Sequence, residues 1–165
     1  MKKKSGKKIG SSQLPGNCID RIDESLFLGN KQAAGNLRVI EELKIQNILQ
    51  LVGMDPIVEL EARVNYLKMP IPGGKHMNIE PVLGPCLKFI HSRISQGQNV
   101  LVHCRYGKNR SASVVIAYIM ASKNLTLFEA EIYVKQRRPE VEIWQKTKDL
   151  LNRLGYRGVQ ALLIN

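Results

Sequence analysis

The stretch Val100-Leu-Val-His-Cys-Arg-Tyr-Gly-Lys-Asn-Arg-Ser111 decides how this chain is read. Asn99–His103 is a short β-branched run and predicts a buried strand. Arg110–Lys123 is apolar nearly all round, through Val114, Val115, Ile116, Ile119 and Met120, and predicts a central helix enclosed by protein. A tight loop joins the two. The backbone N–H groups of such a loop, entering a helix, point inward and form an anion nest. Cys104 ends the strand inside that field, which lowers a thiol pKa and favours the thiolate near neutral pH. Arg110 opens the helix and offers a planar fork that suits two phosphate oxygens. Ser111 is placed to hydrogen-bond the sulfur and to help it leave when a phosphocysteine is hydrolysed. Gly107 lets the backbone approach an anion closely. A cysteine that merely ends a buried strand is a small apolar side chain. That reading leaves His103, Arg110 and Ser111 unexplained at their positions.

Outward from this stretch the chain alternates strand-like and helix-like segments. Cys18–Ile22 and Leu26–Leu28 read as two short strands. Lys31–Leu43 places Ala33, Ala34, Val39, Ile40 and Leu43 at helical spacing and predicts one helix. Asn47–Val52 predicts a buried strand that stops at Gly53. Tyr66–Met69 predicts another, running into the Pro70-Ile-Pro-Gly-Gly74 loop. Ile79–Ile94 puts Leu83, Leu87, Ile90 and Ile94 on one helical stripe, with Gly97 to follow it. Thr126 with Glu129 three residues later forms a capping box for a helix toward Arg138, which Pro139 stops. An amphipathic helix over Ile143–Leu154 completes the set, with Trp144 as a cap on the core. Strands interleaved with helices predict a layered α/β domain.

Composition bounds the rest. The 165 residues suit one compact domain, and 44% of them are hydrophobic, enough for a core without disulfides or metals. The three cysteines (Cys18, Cys86, Cys104) are far apart and form no C-x-x-C pair, so neither a zinc site nor a disulfide framework is indicated. Cys18 and Cys86 read as structural. No cofactor or metal is called for, and the thiols place the protein in a reducing compartment: the cytoplasm, with the nucleus as an alternative. No apolar run is long enough for a transmembrane span, and none of signal-peptide length follows the N-terminal lysines. Five lysines fall within the first eight residues, so roughly half of the formal net charge of +11 belongs to the segment ending at Gly16. Residues 1–16 are expected to form a disordered basic tail, and 17–165 the folded domain. Such charge suits a polyanion such as RNA or a phosphoinositide, or simply a solvated surface.

His103-Cys104-x5-Arg110-Ser111 resembles the phosphate loop of the cysteine-dependent phosphatases, and its surroundings resemble their dual-specificity branch. The likeness covers most of the chain. It includes Ile22–Gly29, Ala33-Ala34-Gly-Asn36, Ala117-Tyr118-Ile-Met120, and Glu129-Ala130 through Val134-Lys-Gln-Arg-Arg-Pro139. The resemblance implies a three-layer α/β domain with a central mixed sheet of about five strands flanked by helices. It implies Cys104 as nucleophile, His103 as the residue that orients it, and Arg110 and Ser111 as its catalytic partners. It implies the backbone of Arg105, Tyr106, Gly107, Lys108, Asn109 and Arg110 as the phosphate cradle. The substrate it implies is a phosphorylated protein.

The likeness fails at one place. The family's aspartate general acid would fall at or near Gly73, and no acidic residue lies between Glu61 and Glu80. His76 and Glu80 are the nearby proton donors, Asp55 lies on an earlier loop, and the simpler reading makes His76 a surface residue and Glu80 a first-turn helix acid. Without an acid, selectivity should tilt toward good leaving groups, aryl phosphates and phosphoanhydrides. Tyr106 and Asn109 also replace the small residue and the serine common in the branch. An asparagine before the arginine resembles the RNA 5′-triphosphatase relatives. Arg105 and Lys108 would suit a polyanion or stand simply exposed, and Arg137-Arg138 would suit an anionic partner or a helix C-terminus. The leading expectation is a phosphatase of protein phosphotyrosine, and of phosphoserine or phosphothreonine as well, working through a phosphocysteine. A phosphatase of RNA 5′ ends or phosphoinositides, and a phosphate-binding module without efficient turnover, are the alternatives.

Overall fold

The computed structural model describes residues 17–53 and 63–164. The basic segment 1–16 and Asp55 lie outside the described residues. Among the described residues twelve elements follow one another, eleven of them strands or α-helices. They are β1 (Ile19–Asp23), β2 (Leu26–Gly29), α1 (Lys31–Ala34), α2 (Leu37–Glu42), β3 (Ile45–Gln50) and β4 (Asn65–Lys68). After a 3₁₀ turn at Gly74–His76 come α3 (Glu80–Ile94), β5 (Asn99–His103), α4 (Arg110–Lys123), α5 (Leu127–Arg137) and α6 (Gln145–Ile164).

The strands form one mixed sheet in the order β1-β2-β5-β3-β4. Only the β1–β2 hairpin is antiparallel; β2, β5, β3 and β4 run parallel. The strand that carries the key motif is therefore the middle one, and its C-terminal edge opens where ligands bind in such sheets. Side chains alternate across the sheet, as a pleat demands. Leu26, Leu28, Leu49, Val100 and Val102 face a large core shared with α3, α4, α5 and α6. Phe27, Ile48 and Leu101 face a smaller core beneath α1 and α2. Helices thus cover both faces, giving the three layers expected.

One helix boundary differs from the sequence reading, and one helical segment goes beyond it. The single helix expected over Lys31–Leu43 is two short ones, broken at Gly35-Asn36. Asn36 Oδ1 accepts from the Val39 N–H at 3.3 Å, and Asn30 Oδ1 accepts from Gln32 and Ala33. Each asparagine starts its own turn of helix, as N-caps do. The last helix breaks after Leu154, as expected, at Gly155, whose φ of 60° and ψ of 175° are not helical, and a further helical segment follows to Ile164. The capping box at Thr126 is present in full. α4 spans the predicted Arg110–Lys123, with eleven buried side chains. It is the spine against which α5 and α6 pack, and its first turn ends the phosphate loop.

Candidate active site

Cys104 leaves the end of β5 with its side chain 2% exposed. Its Sγ lies 3.0 Å from Ser111 Oγ, and the Gly107 N–H donates to it at 3.3 Å. Burial pushes the thiol pKa up. The Ser111 hydroxyl, the Ser111 and Gly107 backbone N–H groups and the Arg110 charge outweigh it, so the net shift is downward. The other two thiols show what burial alone does. Cys86, on the inner face of α3, is pushed up to about 12, and Cys18 is also raised, chiefly by burial. Among the three buried thiols only Cys104 is aimed at converging donors.

The cradle can be traced carbonyl by carbonyl. Every peptide bond among the described residues is trans, so each C=O points opposite the N–H of its own peptide unit. The Cys104 carbonyl meets His103 Nδ1 at 3.3 Å, and the Arg105 carbonyl accepts from the Lys31 N–H at 3.3 Å. The Tyr106 and Gly107 carbonyls accept from Arg138 Nη2 and Nε at 3.4 and 2.8 Å. The Lys108 carbonyl accepts from the Glu142 N–H at 2.9 Å. The Asn109 carbonyl accepts from the Ser113 N–H and hydroxyl, each at 2.7 Å. Every carbonyl from Cys104 to Asn109 is held by a donor on the far side of the loop. The N–H groups of Arg105 to Arg110 are left facing the pocket, which is the nest an anion needs.

Gly107 owes its place to something the sequence reading did not foresee. Its φ is +65°, and a Cβ there would lie 2.5 Å from the Gly29 carbonyl oxygen and 2.9 Å from Arg138 Nη2. The crowding comes from behind the loop, not from the phosphate side. Arg138 itself, expected at a helix end or against an anionic partner, is 1% exposed and belongs to the loop's support.

His103 is buried, and burial lowers its pKa to about 4, against the backbone contact to Cys104, which raises it. The ring is neutral at pH 7. A carbonyl only accepts, so the Cys104 contact puts the proton on Nδ1. Nε2 is buried without a partner among the described residues. His103 therefore adds no positive charge to the thiolate; what it holds is the peptide between residues 104 and 105.

Arg110 projects from the first turn of α4, and its Nη1 donates to the Ile71 carbonyl at 3.0 Å. Gly73 lies beside the same guanidinium: a Cβ there would be 3.7 Å from Cζ and 3.8 Å from Nη2. Gly73, the position at which the sequence reading expects the family's acid, thus faces Arg110 directly, and it holds no side chain. The pocket, about 350 Å³, is lined by Gly73, Gly74, Met77, Trp144, Cys104 and the loop residues Arg105, Tyr106, Lys108, Asn109 and Arg110. Neither His76 nor Glu80 lines it. His76 is exposed in the 3₁₀ turn, and Glu80 pairs with Arg153 across a separate cleft. Trp144 is not a core cap. It is 39% exposed, it walls the pocket, and its backbone N–H donates to Asn109 Oδ1 at 3.4 Å. No pattern in the sequence brings residues 138–144 to the loop, because the approach depends on how α5 packs.

Comparison with known proteins shows the family of this fold. The model of the dual specificity phosphatase catalytic domain matches residues 26–152. A dual specificity protein phosphatase of Drosophila melanogaster, MPK-4, is 40% identical over 126 residues, covering 75% of this chain and 33% of the relative. Mouse dual specificity protein phosphatase 14 is 31% identical, covering 82% of this chain and 70% of the relative. The crystal structure of DUSP15 superimposes with a TM-score of 0.83 at 28% identity, over 90% of this chain and 94% of that one. The chain belongs to the dual specificity phosphatase family. It spans only about a third of the length of its Drosophila relative. Among the described residues no single helix is long and apolar enough to cross a membrane.

Proposed function

We propose that this protein hydrolyses phosphomonoesters of proteins through a phosphocysteine, with phosphotyrosine as its best substrate. The observation that carries the proposal is the convergence on Cys104 Sγ of the Ser111 hydroxyl and the Gly107 N–H, at the base of a pocket rimmed by Arg110. The Cys104 thiolate attacks phosphorus, a P–S bond forms, and the P–O bond to the side chain breaks. The charge on the equatorial oxygens is met by the loop N–H groups and the Arg110 fork. Water then cleaves the P–S bond, releasing phosphate, and Ser111 donates to the departing sulfur.

In-line displacement sends the leaving group out opposite the sulfur, toward the mouth. There the described walls are Gly73, Gly74, Met77, Tyr106 and Trp144, with no carboxylate among these described residues. A phenolate, with a conjugate pKa of about 10, departs unprotonated far more readily than an alkoxide. The aromatic wall and the missing acid support the same preference for aryl esters. Arg105 and Lys108 are exposed at this mouth and favour substrates that carry further negative charge nearby.

The test is a panel of phosphotyrosyl peptide, phosphothreonyl peptide, phosphoinositide and 5′-triphosphorylated RNA, each with wild type and Cys104→Ser. Release of phosphate should be fastest from the phosphotyrosyl peptide, insensitive to chelator and blocked by vanadate. It should fall to background in the serine variant. Turnover retained in Cys104→Ser, or fastest on the RNA or the lipid, would overturn the reading.

A further inference from the structure

We propose that Arg138 is a positioning residue that holds the phosphate loop in its anion-binding conformation, acting from behind the loop and never touching the substrate. The proposal rests on the phosphocysteine reading above.

Arg138 is among the largest fully buried side chains of the protein, and its guanidinium joins three parts of the fold. Nε and Nη2 donate to the Gly107 and Tyr106 carbonyls. Nη1 donates to the Asn17 carbonyl at 3.1 Å and to Asp20 Oδ2 at 2.7 Å, which ties it to the start of β1. Glu140, just past Pro139, lies 3.2 Å from the same Nη1. A buried cation needs pairing, and two carboxylates supply it. What remains of its hydrogen-bonding capacity goes to two successive loop carbonyls.

Those two carbonyls matter because of the peptide units they belong to. Turning the Tyr106 carbonyl outward turns the Gly107 N–H inward, where it meets Cys104 Sγ. Turning the Gly107 carbonyl outward does the same for the Lys108 N–H. Among the described residues, nothing besides Arg138 holds either carbonyl. Without it, the peptides on both sides of Gly107, a residue free to flip, would be free to present oxygen to the phosphate. A carbonyl oxygen in the nest repels both the thiolate and the phosphoryl group. One side chain therefore governs two of the six N–H groups in the cradle.

Arg138→Lys keeps the positive charge for Asp20 and Glu140, but a point donor cannot serve both carboxylates and both carbonyls at once. Three readouts separate positioning from a merely structural role. The first is the pH dependence of Cys104 alkylation by iodoacetamide, read with Cys104→Ser as the blank. The apparent thiol pKa should rise by about one unit. The second is the affinity for vanadate, which should fall about tenfold, and the third is kcat on an aryl phosphate, which should fall by a similar factor. The thermal midpoint is recorded alongside. If Arg138→Lys does not fold, Asp20→Asn loosens the same guanidinium at a residue that is one-third exposed, and the same three readouts should move in the same direction by a few-fold. A folded Arg138→Lys with unchanged alkylation profile, vanadate affinity and kcat overturns the proposal, as does an inert Asp20→Asn where the lysine variant is unfolded. Alkylation does not require turnover. A wild type that hydrolyses no phosphomonoester would defeat the proposed function, while the alkylation shift would still decide the role of Arg138.

Discussion

The two loops that meet at the pocket are built in opposite ways. The phosphate loop from Cys104 to Arg110 has all six of its leading carbonyls bound from outside, a glycine in the left-handed region, and helix α4 locked behind it. The facing loop is anchored by buried Ile71 and Met77, and every residue from Pro72 to His76 between them is exposed. Among the described residues its hold on the site is one carbonyl, that of Ile71 accepting from Arg110. Nucleophile activation needs fixed dipoles, which a rigid and fully satisfied backbone provides. Proton donation needs a single side chain of the right pKa, which a sparse loop can gain or lose without harm to the fold. The first loop is fixed by its whole surroundings; the second is held at its two ends and leaves the side chain at Gly73 free to vary.

Arg110→Lys attacks the contrast at its rigid end. A lysine cannot grip two phosphoryl oxygens in one plane, nor hold the Ile71 carbonyl as well, so kcat on an aryl phosphate should drop by roughly 10²-fold or more. A variant within a few-fold of wild type would show that the phosphate loop works without its arginine fork.

The same rigidity should be visible in stability. His103 is neutral in the folded protein, with a pKa of about 4, against about 6.5 in an unfolded chain. Its lowered pKa contributes stability that is full above pH 6.5 and is lost as pH falls through 4, because the unfolded chain takes up the proton first. Between pH 7 and pH 5 the contribution should fall by about 2 kcal/mol. Urea unfolding at several pH values should show this slope in wild type, and His103→Gln should flatten it. Equal slopes would mean that the ring is protonated at no greater cost in the fold than in solution.

Gly73→Asp sharpens the contrast from the other loop. Gly73 has φ −79°, and a Cβ there meets nothing closer than 3.7 Å, so the aspartate fits without strain. In wild type the rate of phosphocysteine formation should fall steeply with leaving-group pKa across substituted aryl phosphates. The introduced carboxylate should flatten that dependence and speed the poorest leaving groups about tenfold. The gain is held at the low end of general-acid effects because Arg110 lies beside the position and favours the ionised form, which cannot donate. A flat dependence in wild type would reveal a resident donor, for which His76→Ala and Glu80→Gln are the next variants.

What could be read from the chain and what could not divide along sequence separation. Cys104, Arg110 and Ser111 are neighbours on one strand–loop–helix passage, so their convergence follows from local backbone geometry. α4 was legible to its ends because an all-round apolar run has no other soluble use, and the Thr126–Glu129 box because its two members are three residues apart. The break between α1 and α2 had a signal in Asn30 and Asn36, which the apolar spacing of Ala33, Ala34, Val39 and Ile40 outweighed. The break at Gly155 was legible, because glycine ends helices; the segment beyond it to Ile164 was not read as helical.

The sequence by itself determined the strand–loop–helix passage from Cys104 to Arg110, the layered class and the absence of any acidic residue between Glu61 and Glu80, since each is a property of contiguous residues. Tertiary structure alone decided that Arg138 turns inward to the loop rather than outward to solvent, and that Trp144 walls the pocket. It also decided that Gly73, not His76 or Glu80, stands over Arg110. These contacts join segments some 30 or more residues apart. No periodicity or capping rule records which way a side chain turns once α5 has packed against α4.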